Sequence, residues 1–168
     1  MTIEQANARD GEYAAQDWPR LRKTASKLIL INRQLLRPRI TRELWPSLTA
    51  AYDTYVSALV YEEVARGDLD QASKRLEAIK PFLMLDIDDE ARELAEKIVS
   101  GNGIPKEYPE DALHIAVAAL NGIAVIVTWN FAHLSNPFTR MMVRQIVENE
   151  GYVCPEICSP EELLESEL

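Results

Sequence analysis

The chain has 168 residues, 47% of them hydrophobic, which suffices for one sizeable core and is short for two. Its formal net charge of −9 argues against a surface that binds nucleic acid over its whole extent. No apolar run reaches membrane-spanning length, and the N-terminus lacks the basic-then-apolar order of a signal peptide. Cys154 and Cys158 have no Cys or His cluster nearby, so reduced thiols are favoured over a metal site. We therefore expect a cytoplasmic protein without a membrane partner.

The charge is unevenly distributed along the chain. From Trp18 to Arg42 there is no acidic residue. The favoured interpretation is a solvated helix face, because charged side chains lie mostly on surfaces. The alternative is a local phosphate-binding patch, and the spacing does not decide between them. The basic residues of this stretch are Arg20, Arg22, Lys23, Lys27, Arg33, Arg37, Arg39 and Arg42.

The first apolar run of the chain, Leu28 to Ile31, leads into Asn32. Runs this short do not separate a helix from a buried strand, and its closeness to the next strand favours a helix. Thr41, with Glu43 close behind, marks the start of a short helix through Leu48.

From residue 54 onward, strand and helix signals alternate. The predicted elements are a strand at 54–56 that stops at Ser57, helices at 59–65 and 69–79, a strand at 82–85, a helix from Asp88 to Gly101, a helix at 109–120, a strand at 124–127, a helix whose apolar stripe is Phe138, Met141, Met142 and Ile146, and an edge strand at 152–154. Ser159 to Glu162 has the pattern of a capping box that begins a C-terminal helix. The alternation predicts a single three-layer α/β/α fold around a mostly parallel sheet.

Four polar residues lie where such a sheet gathers its ligands. Glu63 follows the strand that ends at Ser57, Asp111 begins the alanine-rich helix, and Thr128 and Asn130 end the strand after it. Two carboxylates and a carboxamide suit a hard cation such as Mg²⁺ or Mn²⁺. Such an ion orients water and neutralises charge on a phosphate.

Each of these residues also has a structural explanation. Glu63 and Asp111 near helix starts would complement the helix dipole, and Asn130 would turn the chain after a strand. Trp129 and Phe131 could stack on nucleobases, but packing in the core or cleft wall is the better explanation. For His114, a hydrogen-bonded, partly buried histidine is the better explanation, and His133 is similarly ambiguous.

From Tyr55 onward the chain resembles the PIN-domain family, the metal-dependent ribonuclease fold of VapC-type toxins in toxin–antitoxin systems. The similarity covers about two thirds of the chain and lies in YVSALVYEEVARGD, ELAEKIV, PEDALHIAVAALNGIAVIVTWNFAHLSN and CPEICSPEELL. The resemblance implies that Glu63 and Asp111 bind Mg²⁺ or Mn²⁺. It implies that Asn130 replaces a fourth acid and that Thr128 supplies a hydroxyl beside the site. RNA as substrate, an antitoxin protein as partner and a homodimer are implied as well.

The N-terminus departs from the family pattern, in which an apolar strand ends in an acidic metal ligand. Residues 1–36 are predicted to be an atypical extension or helical segment, and residues 37–168 a PIN-like domain. Either residues 1–36 supply a substitute or the copy is degenerate, and a displaced gene start gives the same appearance. We expect a metal-dependent endoribonuclease whose activity is reduced or lost. The alternative is an inactive binding module for a protein or RNA.

Overall fold

The structure is a computed structural model that describes residues 27–31, 43–46, 48, 50–130, 134 and 136–165. The strands are β1 (Lys27–Ile31), β2 (Asp53–Ser57), β3 (Leu83–Leu85), β4 (Val125–Thr128) and β5 (Glu156–Cys158). The helices are α1 (Ala58–Ala65), α2 (Leu69–Ile79), α3 (Asp89–Ser100), α4 (Pro109–Leu120), α5 (Pro137–Asn149) and α6 (Pro160–Glu165), and residues 43–46 are also helical. Within these ranges, no helix has the length and apolarity to cross a membrane.

The five strands form one parallel sheet in the order β3-β2-β1-β4-β5. β1 pairs with β2 on one side, where Leu30 is opposite Val56, and with β4 on the other, where Ile31 is opposite Thr128. Helices cover both faces, as a parallel sheet requires, because its strands are connected by helical crossovers. The predicted three-layer α/β/α fold is confirmed.

The central strand corrects the sequence interpretation. Leu28 to Ile31 form β1, and all four side chains are buried, so the favoured helix at this run is wrong. A strand covered on both faces has no alternating pattern, which is why its apolar run resembled a buried helix. The strand that the N-terminus was expected to lack is therefore present. Asn32, which follows it, lies outside the described residues, as does most of segment 1–36, so the division at residue 36 stays a prediction.

The sheet separates two hydrophobic cores. On one face, Ile29 and Ile31 of β1 and Ile126 of β4 pack with helices α3, α4 and α5. On the other face, Leu28 and Leu30 pack with α1, α2, α6 and the helical residues around Leu44 and Leu48. Successive residues of a strand point to opposite faces, so β1 contributes alternately to both cores. This arrangement makes β1 the strand on which both layers of helices depend.

The predicted helix ends are well reproduced. Helices α2 and α4 have the predicted bounds, and Asp88 caps α3 by accepting the backbone N–H of Ala91 at 2.8 Å. The capping box at α6 is confirmed, since Glu162 accepts the backbone N–H of Ser159 at 2.7 Å and Ser159 Oγ accepts that of Glu162 at 3.1 Å. Caps are short-range signals, which explains why sequence locates them.

Two predictions near the C-terminus are wrong in detail. The edge strand is Glu156–Cys158 rather than residues 152–154, and Val153 is exposed. Helix α5 forms as predicted, but its buried residues are Val143 and Val147. Of the predicted stripe, Ile146 packs against the core and Met142 is partly buried, while Phe138 and Met141 are exposed. Periodicity identifies a helix, whereas the face that is buried depends on where the helix docks.

The core position of β1 predicts a large cost for truncating its side chains. Leu30→Ala should lower the free energy of unfolding by about 2–5 kcal/mol, because Leu30 is fully buried and the change leaves a cavity. The matched control is Leu83→Ala in edge strand β3, where the side chain is 61% exposed and the cost should stay below about 1 kcal/mol. Urea unfolding of both variants measures the difference, and equal costs would contradict a central β1.

Candidate active site

Three neighbouring strands end at the same edge of the sheet. β1 ends at Ile31, β4 at Thr128 opposite it, and β2 at Ser57, one residue beyond the Leu30–Val56 pair. Beyond β1 the chain packs against one face, through Leu44 and Leu48, and beyond β4 it packs α5 against the other. The strand order reverses between β1 and β4, and α/β sheets generally form a crevice and bind ligands at the carboxyl edge of such a switch point.

Asp111 and Asn130 meet in this crevice. The side-chain amide of Asn130 donates a hydrogen bond from Nδ2 to Asp111 Oδ2 at 2.9 Å. Asp111 lies in the first turn of α4, where the helix dipole favours a carboxylate. Both side chains are partly buried, so they are accessible to a ligand while water is partly excluded. The structure therefore joins two of the predicted site residues, which are separated by 19 positions in the chain.

Thr128 positions Asn130 for its contact with Asp111. It is completely buried at the end of β4, and its Oγ1 accepts the backbone N–H of Asn130 at 3.1 Å. This bond closes a short turn after the strand, so the chain-turning explanation for Asn130 is partly correct. The Asn130 side chain, however, is directed to Asp111, which a turn alone does not require. Thr128 holds the asparagine, and the asparagine holds the aspartate.

Glu63 lies on α1 and is partly buried. Helix α1 begins at Ala58 and has no acidic residue in its first turn, so Glu63 lies beyond the region in which the dipole effect is strong. The dipole explanation considered for Glu63 therefore loses its basis. Its proximity to Asp111 stays a prediction, although the N-terminus of α1 is connected to α4 by the residues described next.

Ser57 and His114 form a buried pair that the sequence did not predict. Ser57 Oγ lies 3.3 Å from Nδ1 of His114, one helical turn after Asp111, and both side chains are buried. Burial lowers the pKa of His114 to about 4, so its ring is neutral at neutral pH. The hydrogen-bonded histidine was favoured from sequence. Ser57 had a signal too, because serine at the end of a strand and the start of a helix is a preferred N-cap.

Trp129, Cys154 and Cys158 are core residues. Trp129 is 4% exposed and packs in the core with α1 and α6, which agrees with the packing explanation. Phe131 and His133 lie outside the described residues. Cys154 and Cys158 are buried free thiols, and burial raises the pKa of each to about 12, so both stay protonated. They are structural, as their isolation in the sequence indicates.

The polar groups of Asp111 and Asn130 are of the kind that bind a hard cation, but so few charged ligands would bind it weakly. Carboxylate and amide oxygens are ligands for Mg²⁺ and Mn²⁺. Asp111 supplies a carboxylate, and Asn130 supplies an amide whose nitrogen, Nδ2, contacts that carboxylate. Over the described part of the chain, no three His, Cys, Asp or Glu residues form a group that could hold a metal. The residues fit a single divalent ion with few charged ligands. Among the residues that the structure describes, no densely acidic, two-metal cage is formed.

Asp111, Thr128 and Asn130 therefore lie at the carboxyl edge of a parallel α/β sheet. The family model of the PIN domain, a fold of the nuclease type, matches residues 29–137, well over half of the chain, and the protein therefore belongs to the PIN domain family. Members of this family generally use divalent metal ions. A comparison with curated proteins finds no match. The match begins at residue 29, within β1, so the family model includes the central strand of the sheet.

The lowered pKa of His114 predicts a loss of stability in acid. Between the unfolded value of about 6.5 and the folded value of about 4, the unfolded chain binds a proton that the folded protein does not. The free energy of unfolding should therefore fall as pH is lowered through this window, by up to about 1.4 kcal/mol per unit. Urea midpoints measured at several pH values test this, and the difference between wild type and His114→Leu isolates the histidine. Parallel pH profiles for the two proteins would contradict it.

The contact between Asn130 and Asp111 predicts a metal requirement for Asn130→Asp. This change brings two carboxylates together, which raises the pKa of one of them or draws in a cation. With chelator present, the melting temperature should fall by roughly 2–4 °C for each kcal/mol of repulsion. Added Mn²⁺ should restore it by more than it raises that of wild type.

The control for this change is Asn136→Asp. Asn136 is the N-cap of α5, and aspartate caps as well as asparagine does. This variant should keep the melting temperature and the small Mn²⁺ response of wild type. If Asn130→Asp responds to chelator and Mn²⁺ no more than Asn136→Asp does, the crevice does not bind a cation at this position.

Proposed function

We propose that the protein is a PIN-type endoribonuclease that depends on Mg²⁺ or Mn²⁺ and has a reduced metal site. The Asp111–Asn130 contact supports this most directly, because it places a carboxylate and its partner at the crevice where β1 and β4 end. The alternating fold explains how residues so distant in sequence reach one edge. The family supplies the class of reaction, hydrolysis of a phosphodiester bond.

The proposed ligands of the ion are Glu63 and Asp111, which carry the two carboxylates. When bound, a divalent ion polarises a phosphoryl oxygen and offsets charge that develops on the phosphate. The residues of the chain orient this chemistry. Asn130 fixes one oxygen of Asp111, Thr128 fixes the backbone of Asn130, and the N-terminus of α4 stabilises the negative charge on Asp111.

The same contact explains why the activity should be weak. At Asn130 the chain has a neutral amide where the family pattern has an acid, and Asn32 follows the central strand in place of another. Fewer negative charges bind a divalent cation less tightly, because each carboxylate adds Coulomb attraction in a partly desolvated site. We expect an enzyme that requires high metal concentrations and that holds one ion rather than a pair.

A second candidate function is a binding module for a protein partner, such as an antitoxin, or for RNA. The observation that favours it is a groove of about 590 Å³ between α1, α2 and the β2–β3 side of the sheet. Tyr61, Leu69 and Met84 line it and are exposed, although all three are large and apolar. Exposed apolar clusters of this kind mark interaction surfaces. The two functions are compatible, and only the first requires the carboxylates.

Cleavage of single-stranded RNA by the purified protein tests the first proposal. Cleavage should require Mn²⁺ or Mg²⁺ and stop with chelator. Asp111→Asn and Glu63→Gln should each lower the rate by about 100-fold or more, because each removes one of the two carboxylates proposed to bind the ion that offsets charge on the phosphate. The matched controls are the neighbouring acids, as Glu110→Gln and Glu62→Gln, whose side chains are exposed and should leave the rate within about twofold.

Calorimetric titration with Mn²⁺ separates the two candidate functions. Binding that Asp111→Asn abolishes and Glu110→Gln preserves supports a metal-dependent enzyme. If Asp111→Asn and Glu63→Gln both cleave RNA as fast as wild type does, the endoribonuclease proposal is wrong. Absence of any Asp111-dependent Mn²⁺ binding leaves the binding module as the function to pursue.

A further inference from the structure

Ser57 lies between a strand residue that packs on one face of the sheet and a helix that packs on the other face. It is the last residue of β2 and is fully buried. Tyr55, two residues earlier, packs against the core of α3, α4 and α5, whereas Val60 of α1 packs in the opposite core. Ser57 Oγ accepts the backbone N–H of Val60 at 3.3 Å and so forms the N-cap of α1.

His114 reaches the same hydroxyl from α4. Its Nδ1 lies 3.3 Å from Ser57 Oγ, and the ring is 2% exposed. Oγ accepts the N–H of Val60 and still has its own hydrogen and a second lone pair, so it bonds Nδ1 as donor or as acceptor, according to the tautomer of the ring. Burial lowers the pKa of His114 to about 4, so the ring that makes this contact is neutral at neutral pH.

The hydrogen bond connects two helices that lie in different hydrophobic cores. Helix α1 belongs to the core on one face of the sheet and α4 to the core on the other. Apolar contacts have no preferred direction, so packing on the shared sheet constrains the rotation and height of one helix against the other less sharply than a directional contact does. A hydrogen bond loses strength steeply with distance and angle, and it therefore restricts both.

We propose that Ser57 and His114 are positioning residues that hold α1 and α4 in register at the carboxyl edge of the sheet. The consequence for the site follows from the sequence positions. Glu63 lies six residues after Ser57 on α1, and Asp111 lies one turn before His114 on α4. The pair thus sets the spacing of the two carboxylates, a role that rests on the function proposed for them above. Neither Ser57 nor His114 need touch metal or RNA.

The chain offers a matched control within the same strand. Thr54 of β2 is also buried, and its hydroxyl donates to the carbonyl of Leu48 at 2.7 Å, on the other side of the strand from Ser57. Thr54→Val removes a buried hydroxyl as Ser57→Ala does, at a comparable cost of about 1 kcal/mol. It breaks no link between α1 and α4. Any general effect of a weakened β2 should therefore occur in both variants.

The experiment compares Ser57→Ala, His114→Leu, His114→Asn and Thr54→Val by two measurements. The first is the side-chain amide resonance of Asn130 by nuclear magnetic resonance, which reports its hydrogen bond to Asp111 without metal. The second is the Mn²⁺ affinity by calorimetry. Ser57→Ala and His114→Leu should shift the resonance and weaken Mn²⁺ binding by roughly tenfold. His114→Asn, whose side chain places a polar atom near the position of Nδ1, should restore both values, and Thr54→Val should change neither.

The outcomes separate this proposal from the function on which it rests. If wild type binds no Mn²⁺, the metal-dependent function fails, and the resonance of Asn130 still decides whether the pair positions the site. If Ser57→Ala leaves the Asn130 resonance as Thr54→Val does, the positioning role is wrong, whatever the Mn²⁺ affinity. If His114→Leu destabilises the fold too far for study, Ser57→Ala gives the same test from the other side of the bond.

Discussion

The parallel pairing of β1 with both β2 and β4 is the constraint on which the rest of the structure depends. It brings the ends of three strands to one level, with Ile31 opposite Thr128 and Ser57 beside them. It also divides the hydrophobic residues into two cores, since alternate side chains of β1 point to opposite faces. The crevice, the turn that carries Asn130 and the crossing at Ser57 all follow from this one pairing.

The crevice differs from a densely charged metal site in a specific way. Asn130 donates to Asp111, so part of the work of orienting the carboxylate is done by a hydrogen bond rather than by an ion. Beside it, Thr128, Ser57 and His114 are buried polar residues with hydrogen bonds, in a region where unpaired polar groups would be costly. These hydrogen bonds fix the side chains by contacts within the chain, and they are compatible with both functions proposed above.

Local signals in the sequence were reliable because local physics produces them. The bounds of α2 and α4, the cap at Asp88 and the capping box at Ser159 depend on residues within one or two turns. The buried face of α5 and the position of β5 depend on distant partners. The predicted position of β5 is wrong, and the predicted face of α5 is correct only in part, at Ile146. The site residues Asp111, Thr128 and Asn130 were within reach of sequence reasoning, because they follow or precede elements with clear ends. The pairing of Ser57 with His114 joins residues 57 positions apart and has no local signature.

The sequence by itself determined the alternation of strands and helices, hence the α/β class, and it supplied the motif text that indicates the PIN family. Only the tertiary structure decided that Leu28 to Ile31 form the central strand, because an apolar run of four residues satisfies a helix and a doubly covered strand equally well. The choice was made by hydrogen bonds to β2 and β4, whose residues lie far along the chain. The same long-range pairing decided which polar side chains meet, and thereby where the candidate chemistry of this protein is located.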